Sequence, residues 1–67
     1  MTRPTCNIMQ DNKGKIYKYV VIANNRCNQD VFWTNDKEEA TEAHNTYRSF
    51  GSHVTTYEDG LVMLVST

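Results

Sequence analysis

The stretch that decides the fold reads Ile16-Tyr17-Lys18-Tyr19-Val20-Val21-Ile22-Ala23. Its β-branched and aromatic residues favour a strand, which we predict over residues 15–23. Successive strand side chains point to opposite faces of a sheet, so a strand with one wet face should alternate apolar and polar residues. This stretch is largely apolar at both its even and its odd positions. Both faces of the predicted sheet therefore carry apolar side chains.

Shorter strands are predicted on either side of this stretch. Residues 5–10 read as a first strand, which a polar turn containing Gly14 separates from the second. Residues 30–34 form the third strand. Asp59-Gly60 is the two-residue signal of a β-hairpin and should join strands at 52–58 and 61–66. This turn predicts that Tyr57 pairs with Val62 and Thr56 with Met63.

One helix is predicted between the third strand and the hairpin. Asn35 can cap its start, with Glu38 three residues later completing a capping box. Gly51 is well placed to end it. Apolar residues recur at spacings of three and four and form one narrow stripe: Ala40, Ala43, Tyr47 and Phe50. His44 falls one step off this stripe, and we expect both His44 and His53 to be surface or boundary residues.

The resulting order, β-β-β-α-β-β, predicts an α+β fold. We expect a single small domain spanning residues 1–67, with a mostly antiparallel sheet of four to five strands and one helix packed on one face. One helix can cover only one of the two apolar faces. The other face needs the chain's own loops, a second copy or a different protein.

Composition limits the function only loosely. The net charge of −1 selects no class of partner. No apolar run approaches the roughly 18 residues of a membrane span, and the first six residues lack the apolar core of a secretion signal. We therefore expect a cytoplasmic protein without a membrane partner.

No metal, cofactor or catalytic set is predicted. Cys6 and Cys27 are far apart in sequence, as are His44 and His53, whereas zinc ligands usually come in close pairs. A cytoplasmic compartment favours two free thiols, and a disulfide between Cys6 and Cys27 is the alternative. No Gly-rich elbow accompanies these residues, and so short a chain struggles to enclose a substrate. We expect a protein that is not an enzyme.

An acidic cluster marks the start of the predicted helix, at Asp36, Glu38, Glu39 and Glu42. Helix capping and solubility explain most of this cluster and are the favoured interpretation. Glu38 and Glu42 are like charges one turn apart, which costs a few tenths of a kcal/mol. A function that needs dense negative charge, such as docking into a basic groove meant for nucleic acid, would accept that cost.

Aromatic residues suggest a second candidate surface. The segment Lys13-Gly14-Lys15-Ile16-Tyr17-Lys18-Tyr19 places two rings on one predicted face, as single-stranded nucleic-acid platforms do. The negative net charge favours packing in a core or interface instead. Phe32 and Trp33 point to opposite faces, so one of them can be exposed. The candidate partner-binding aromatics are Tyr17, Tyr19, Trp33 and Tyr57.

In size and element order the chain is similar to small accessory proteins that phages make to bind and block a larger host enzyme. The resemblance implies a non-enzymatic inhibitor or regulator in the host cytoplasm, with a larger protein, for example a nucleic-acid-handling enzyme, as its partner. It carries over no functional residue. Two alternatives stay open, a homodimer and a single-stranded nucleic-acid binder that uses residues 13–19.

Overall fold

A four-stranded antiparallel sheet and one helix make up the fold in the computed structural model, which describes residues 8–66. The elements are β1 (Tyr19–Asn24), β2 (Gln29–Thr34), α1 (Lys37–Ser49), β3 (His53–Glu58) and β4 (Leu61–Val65). The sheet order is β2-β1-β3-β4, so β1 and β3 are central and β2 and β4 are the edges. The predicted α+β architecture with one helix is confirmed.

The first predicted strand does not join the sheet. Of its residues 5–10, the first three lie outside the described residues, and the rest form a turn that ends in an isolated bridge between Gln10 and Ile16. The Asp11 carboxylate accepts hydrogen bonds from the N–H groups of Lys13 and Lys15 and so stabilises the turn that follows. Residues 8–17, the N-terminal segment, therefore fold as a local loop, and β1 begins at Tyr19 instead of residue 15.

The helix begins one residue later than predicted. Asp36, not Asn35, is the N-cap, and its carboxylate accepts the N–H of Glu38 at 2.9 Å. Asn35 is used elsewhere, because its side-chain oxygen accepts the N–H of Lys18 at 2.9 Å. This bond holds the entry to β1 against the exit from β2. The predicted assignment of Asn35 as the cap is wrong because a tertiary partner takes its side chain.

A hydroxyl relay replaces the predicted capping box. The Thr34 hydroxyl accepts the N–H of Asp36 at 3.0 Å and donates to a carboxylate oxygen of Glu39 at 2.6 Å. Glu39, three residues after the cap, thus reaches the cap N–H through Thr34, and Glu38 does not play this part. The relay satisfies one backbone N–H that the start of a helix leaves without an intrahelical partner, that of Asp36.

The helix ends as predicted, but its buried face differs. Gly51 has a φ of 91° and donates its N–H to the carbonyl of Arg48. Phe50 is the C-cap and is 76% exposed, so its predicted place on the buried stripe is wrong. His44 is buried instead and hydrogen-bonds the Thr56 hydroxyl at 3.0 Å. Its expected surface position is also wrong, because it lies four residues after the fully buried Ala40 and shares its face.

The core lies between α1 and one face of the sheet. Its buried residues are Tyr19, Val21, Ala23, Ala40 and Val54, with Phe32, Ala43, Tyr47 and Met63 packed around them. The helix therefore covers the odd-numbered side chains of β1. The even-numbered side chains point to the other face, which we call the helix-free face.

The hairpin turn is confirmed, and a bulge follows it. Asp59 and Gly60 have φ values of 52° and 89°, as a two-residue turn of this kind requires. Tyr57 pairs with Val62 as predicted, but Thr56 pairs with Leu64 instead of Met63. Met63 is the extra residue of a β-bulge, which shifts all later pairs by one.

Candidate functional site

Two cross-strand rows of side chains lie on the helix-free face. The pairings place Trp33, Val20, Tyr57 and Val62 in one row and Val31, Ile22, Thr55 and Val65 in the next. None of these eight residues is charged, and Thr55 alone is neither aliphatic nor aromatic. On this face, the apolar character predicted from β1 thus extends across all four strands.

The N-terminal segment covers one corner of this face. Val20 points away from the helix and is nevertheless fully buried. Beside it, the indole N–H of Trp33 donates to the backbone carbonyl of Ile8 at 3.0 Å, and Met9 is itself buried. The chain's own loop therefore hides the corner at Trp33 and Val20.

The rest of the face stays open and forms what we call the apolar patch. Its members are Ile22, Val31, Tyr57, Val62 and Val65, grouped around Thr55. Val62 and Val65 are each 57% exposed, and the other members are half-buried. Leu61 of the same edge strand is also exposed, but it pairs with Glu58 and so belongs to the helix side of the sheet. Contiguous apolar surface of this kind is typical of protein interaction sites.

The four predicted aromatic contact residues do not form one surface. Trp33 and Tyr57 lie on the helix-free face, but Tyr19 lies in the core under α1. The Tyr19 hydroxyl donates to Glu58 at 3.2 Å, and burial followed by this bond raises its pKa. Tyr17 lies in the N-terminal segment and donates to Asp11 at 3.2 Å. The expected grouping is wrong for Tyr19, because its odd position in β1 turns it toward the helix.

The same placement separates the two rings of the alternative platform for nucleic acid. Tyr17 and Tyr19 share no exposed face, since one ring is in a loop and the other in the core. Each ring also has a lysine near it, with the Lys15 ammonium 5.1 Å from the centroid of Tyr17 and the Lys18 ammonium 6.0 Å from that of Tyr19. These are intramolecular cation–π contacts.

The acidic residues at the helix start differ in their surroundings. Asp36 is engaged as the helix cap and Glu39 by Thr34. Glu38 and Glu42 lie together in a shallow depression that also includes Lys37. Glu39 and Glu42 border a groove on the side of β2. Glu42 therefore borders both depressions, whereas Asp36 and Glu39 are held by hydrogen bonds within the fold.

This second feature, the β2–α1 groove, has a volume of about 390 Å³. Phe32, Ala43 and Tyr47 supply its apolar lining, and Glu39, Glu42 and Thr46 its polar lining. It exists because α1 packs mainly across β1 and β3 and less closely on β2. Sequence analysis identified the two glutamates but not the groove, which depends on where the helix crosses the sheet.

The cysteine and histidine candidates lie apart where they are described. Cys27 is a free, exposed thiol in the β1–β2 loop, and Cys6 lies outside the described residues. His44 is in the core and His53 is exposed on β3. Within residues 8–66, no three His, Cys, Asp or Glu side chains group as metal ligands.

Over the same described part of the chain, no helix has the length and apolar character needed to cross a membrane.

Comparison with known proteins found no matching family model, curated protein or solved structure. The surfaces described above are therefore the grounds for assigning a function.

Proposed function

We propose that this chain is a non-enzymatic protein-binding domain, an inhibitor or regulator that docks on a larger protein through the apolar patch. The observation that carries the proposal is the exposure of Val62 and Val65, at 57% each, beside the half-buried Tyr57. A small domain has a limited apolar core, about 3–5 kcal/mol of net stability, so apolar side chains left in water are costly. A partner that covers them recovers their burial energy.

The chemistry of the patch suits a protein surface. Interface cores are depleted of charge and enriched in aromatic residues, and a tyrosine can anchor such a contact. Tyr57 occupies the middle of its row, between Val20 and Val62. The flanking edge strand β4 adds aliphatic side chains without a charge.

The architectural similarity to phage accessory proteins supports a regulator that acts on a larger host protein, in the host cytoplasm. On this proposal the acidic residues around Glu38 and Glu42 contribute steering toward a basic target, such as an enzyme that handles nucleic acid. They contribute mainly to the association rate, while the patch supplies the buried contact.

Self-association is a second candidate function. It is favoured by the uncharged character of the patch, because two copies related by a twofold axis would bring identical apolar surfaces together without like-charge repulsion. Such a dimer would bury Val62 and Val65 against their own copies and leave α1 exposed on both outer faces.

The test replaces Val62 and Val65 together by aspartate, with Phe50→Asp as the matched control. Phe50 is an exposed apolar residue at the end of α1, outside the patch. Light scattering over a concentration series gives the oligomeric state of each form, and affinity capture from cell extract, quantified by mass spectrometry, gives their partners. Circular dichroism checks that all three forms fold.

A monomer that retains a discrete protein, loses it in the double variant and keeps it in Phe50→Asp supports docking on a larger partner. A dimer that the double variant alone dissociates supports self-association. Retention of the same proteins by all three forms contradicts any role for the patch.

A further inference from the structure

Edge strand β2 is the edge of this sheet better shaped to accept another strand. Among residues 8–66, β1 is its one neighbour in the sheet, and the two strands run in register from end to end. The other edge strand, β4, carries the bulge at Met63. Bulges interrupt the regular hydrogen-bond ladder and are one way in which proteins discourage further pairing at an edge.

Alternate residues of β2 direct their backbone groups outward. The N–H of Asn25 donates to the carbonyl of Asn28 at 2.9 Å and closes the β1–β2 hairpin. Hydrogen-bonded and non-bonded pairs alternate along an antiparallel ladder. Counting from this bond, Phe32 uses its N–H and carbonyl toward β1, whereas Val31 and Trp33 present theirs at the outer edge. An added strand would find donors and acceptors at these two residues.

The β2–α1 groove lies beside this edge, on the helix side. Phe32 forms its floor, and Ala43 and Tyr47 of α1 form its apolar wall. Of the six described residues that line it, Glu39 and Glu42 are acidic and none is basic. A strand that pairs with β2 would direct every second side chain into this groove, because side chains opposite each other share a face.

We propose that this groove binds an extended segment of a partner protein that adds to β2 and carries basic residues at alternate positions. The basic side chain opposite Phe32 lays its aliphatic stem along the apolar wall and places its charge beside Glu42. Two positions away, a second basic side chain meets Asp30, which is exposed on the same face of β2. This site goes beyond the proposed function, since it uses the outer edge of β2 and the helix side of the sheet, whereas the apolar patch lies on the helix-free face.

One of the two carboxylates is already held in place. Glu39 accepts the Thr34 hydroxyl at 2.6 Å, and Thr34 is buried at the end of β2. A carboxylate fixed in advance loses little side-chain freedom when a cation binds. Strand addition beside a helix, with main-chain bonds for affinity and alternate pockets for specificity, is a general mode of peptide recognition.

Synthetic peptides test the proposal on the full chain. The probe is acetyl-Thr-Val-Arg-Val-Arg-Val-Thr-amide with a terminal fluorophore. Its matched control, acetyl-Thr-Val-Arg-Arg-Val-Val-Thr-amide, has the same composition and charge but not the alternation. Anisotropy titrations to about 1 mM cover weak specific binding. Glu42→Lys tests the groove, and Glu38→Lys makes the same charge change one turn earlier, at a residue that does not line the groove.

We expect the alternating peptide to bind and the control peptide to bind at least about fivefold more weakly. Glu42→Lys should weaken binding by roughly fivefold to tenfold, and Glu38→Lys by less than about twofold. Hydrogen exchange at the Val31 and Trp33 amides should slow when the peptide is added, because these N–H groups then acquire partners. The double aspartate variant of Val62 and Val65 should bind the peptide like the wild type.

Equal affinity for both peptides, or equal loss in the two lysine variants, would mean general charge attraction and would overturn the proposal. So would exchange protection at β4 instead of β2. Failure of the apolar patch to bind a protein would leave these measurements unaffected, so the two proposals can fail separately.

Discussion

Replacing Asp36 by alanine should destabilise the protein by about 1.5 kcal/mol. The substitution removes the acceptor of the Glu38 N–H, a loss of about 1 kcal/mol for a helix cap. It also removes a negative charge at the helix N-terminus, worth about 0.3–1 kcal/mol. For a domain of this size the melting temperature should fall by about 6–12 °C.

Two further variants separate the causes. Asp36→Asn keeps a capping side chain and loses only the charge, so we expect a cost of about 0.5 kcal/mol. Asn35→Ala tests the residue that the sequence favours as the cap. It removes one exposed hydrogen bond from the Lys18 N–H, and we expect the free energy of unfolding to fall by about 0.5 kcal/mol.

The assay is urea denaturation followed by circular dichroism, with the free energy of unfolding extrapolated to water. The expected order of cost is Asp36→Ala first, with Asp36→Asn and Asn35→Ala well below it. A larger cost for Asn35→Ala than for Asp36→Ala would refute the assignment of the cap. Equal costs for the two Asp36 variants would show that charge, and not hydrogen bonding, is the effect.

Three further predictions concern the core, the loop and pH. Burial lowers the pKa of His44, so as the pH falls the unfolded chain binds a proton before the folded chain does. The free energy of unfolding should therefore be highest above about pH 6.5 and decrease as the pH falls below that value. Urea titrations should find a smaller decrease in His44→Gln. Trp33→Phe removes the donor that holds the N-terminal segment, so we expect about 1 kcal/mol less stability and faster hydrogen exchange at the Tyr17 amide. Val54→Ala should cost about 2 kcal/mol because Val54 is fully buried, whereas Val65→Ala should cost less than about 0.5 kcal/mol in the same denaturation assay.

The candidate surfaces were only partly accessible from the sequence. The apolar residues of β1 correctly predicted two apolar faces. Trp33 and Tyr57 lie on the helix-free face, where the N-terminal segment covers the corner at Trp33. Tyr19 was misplaced because the sequence does not say which face the helix covers. The β2–α1 groove was missed because it depends on the position of α1 across the sheet.

The local elements of this fold follow from short-range signals in the sequence. The β-branched run set β1, Asp59-Gly60 set the hairpin turn, and Gly51 set the end of α1. Each of these signals acts through backbone preferences within a few residues, so no distant partner is needed to read it.

Other features of the fold depend on contacts between residues that are distant in sequence. Asn35 lost the cap because Lys18, seventeen residues away, takes its side chain. His44 is buried with its ring hydrogen-bonded to Thr56 across the core. Val20 is buried by the N-terminal segment, which a hydrogen bond from Trp33 holds in place. Propensity and periodicity describe neighbours along the chain, whereas these contacts arise only when the helix, the sheet and the loop pack together.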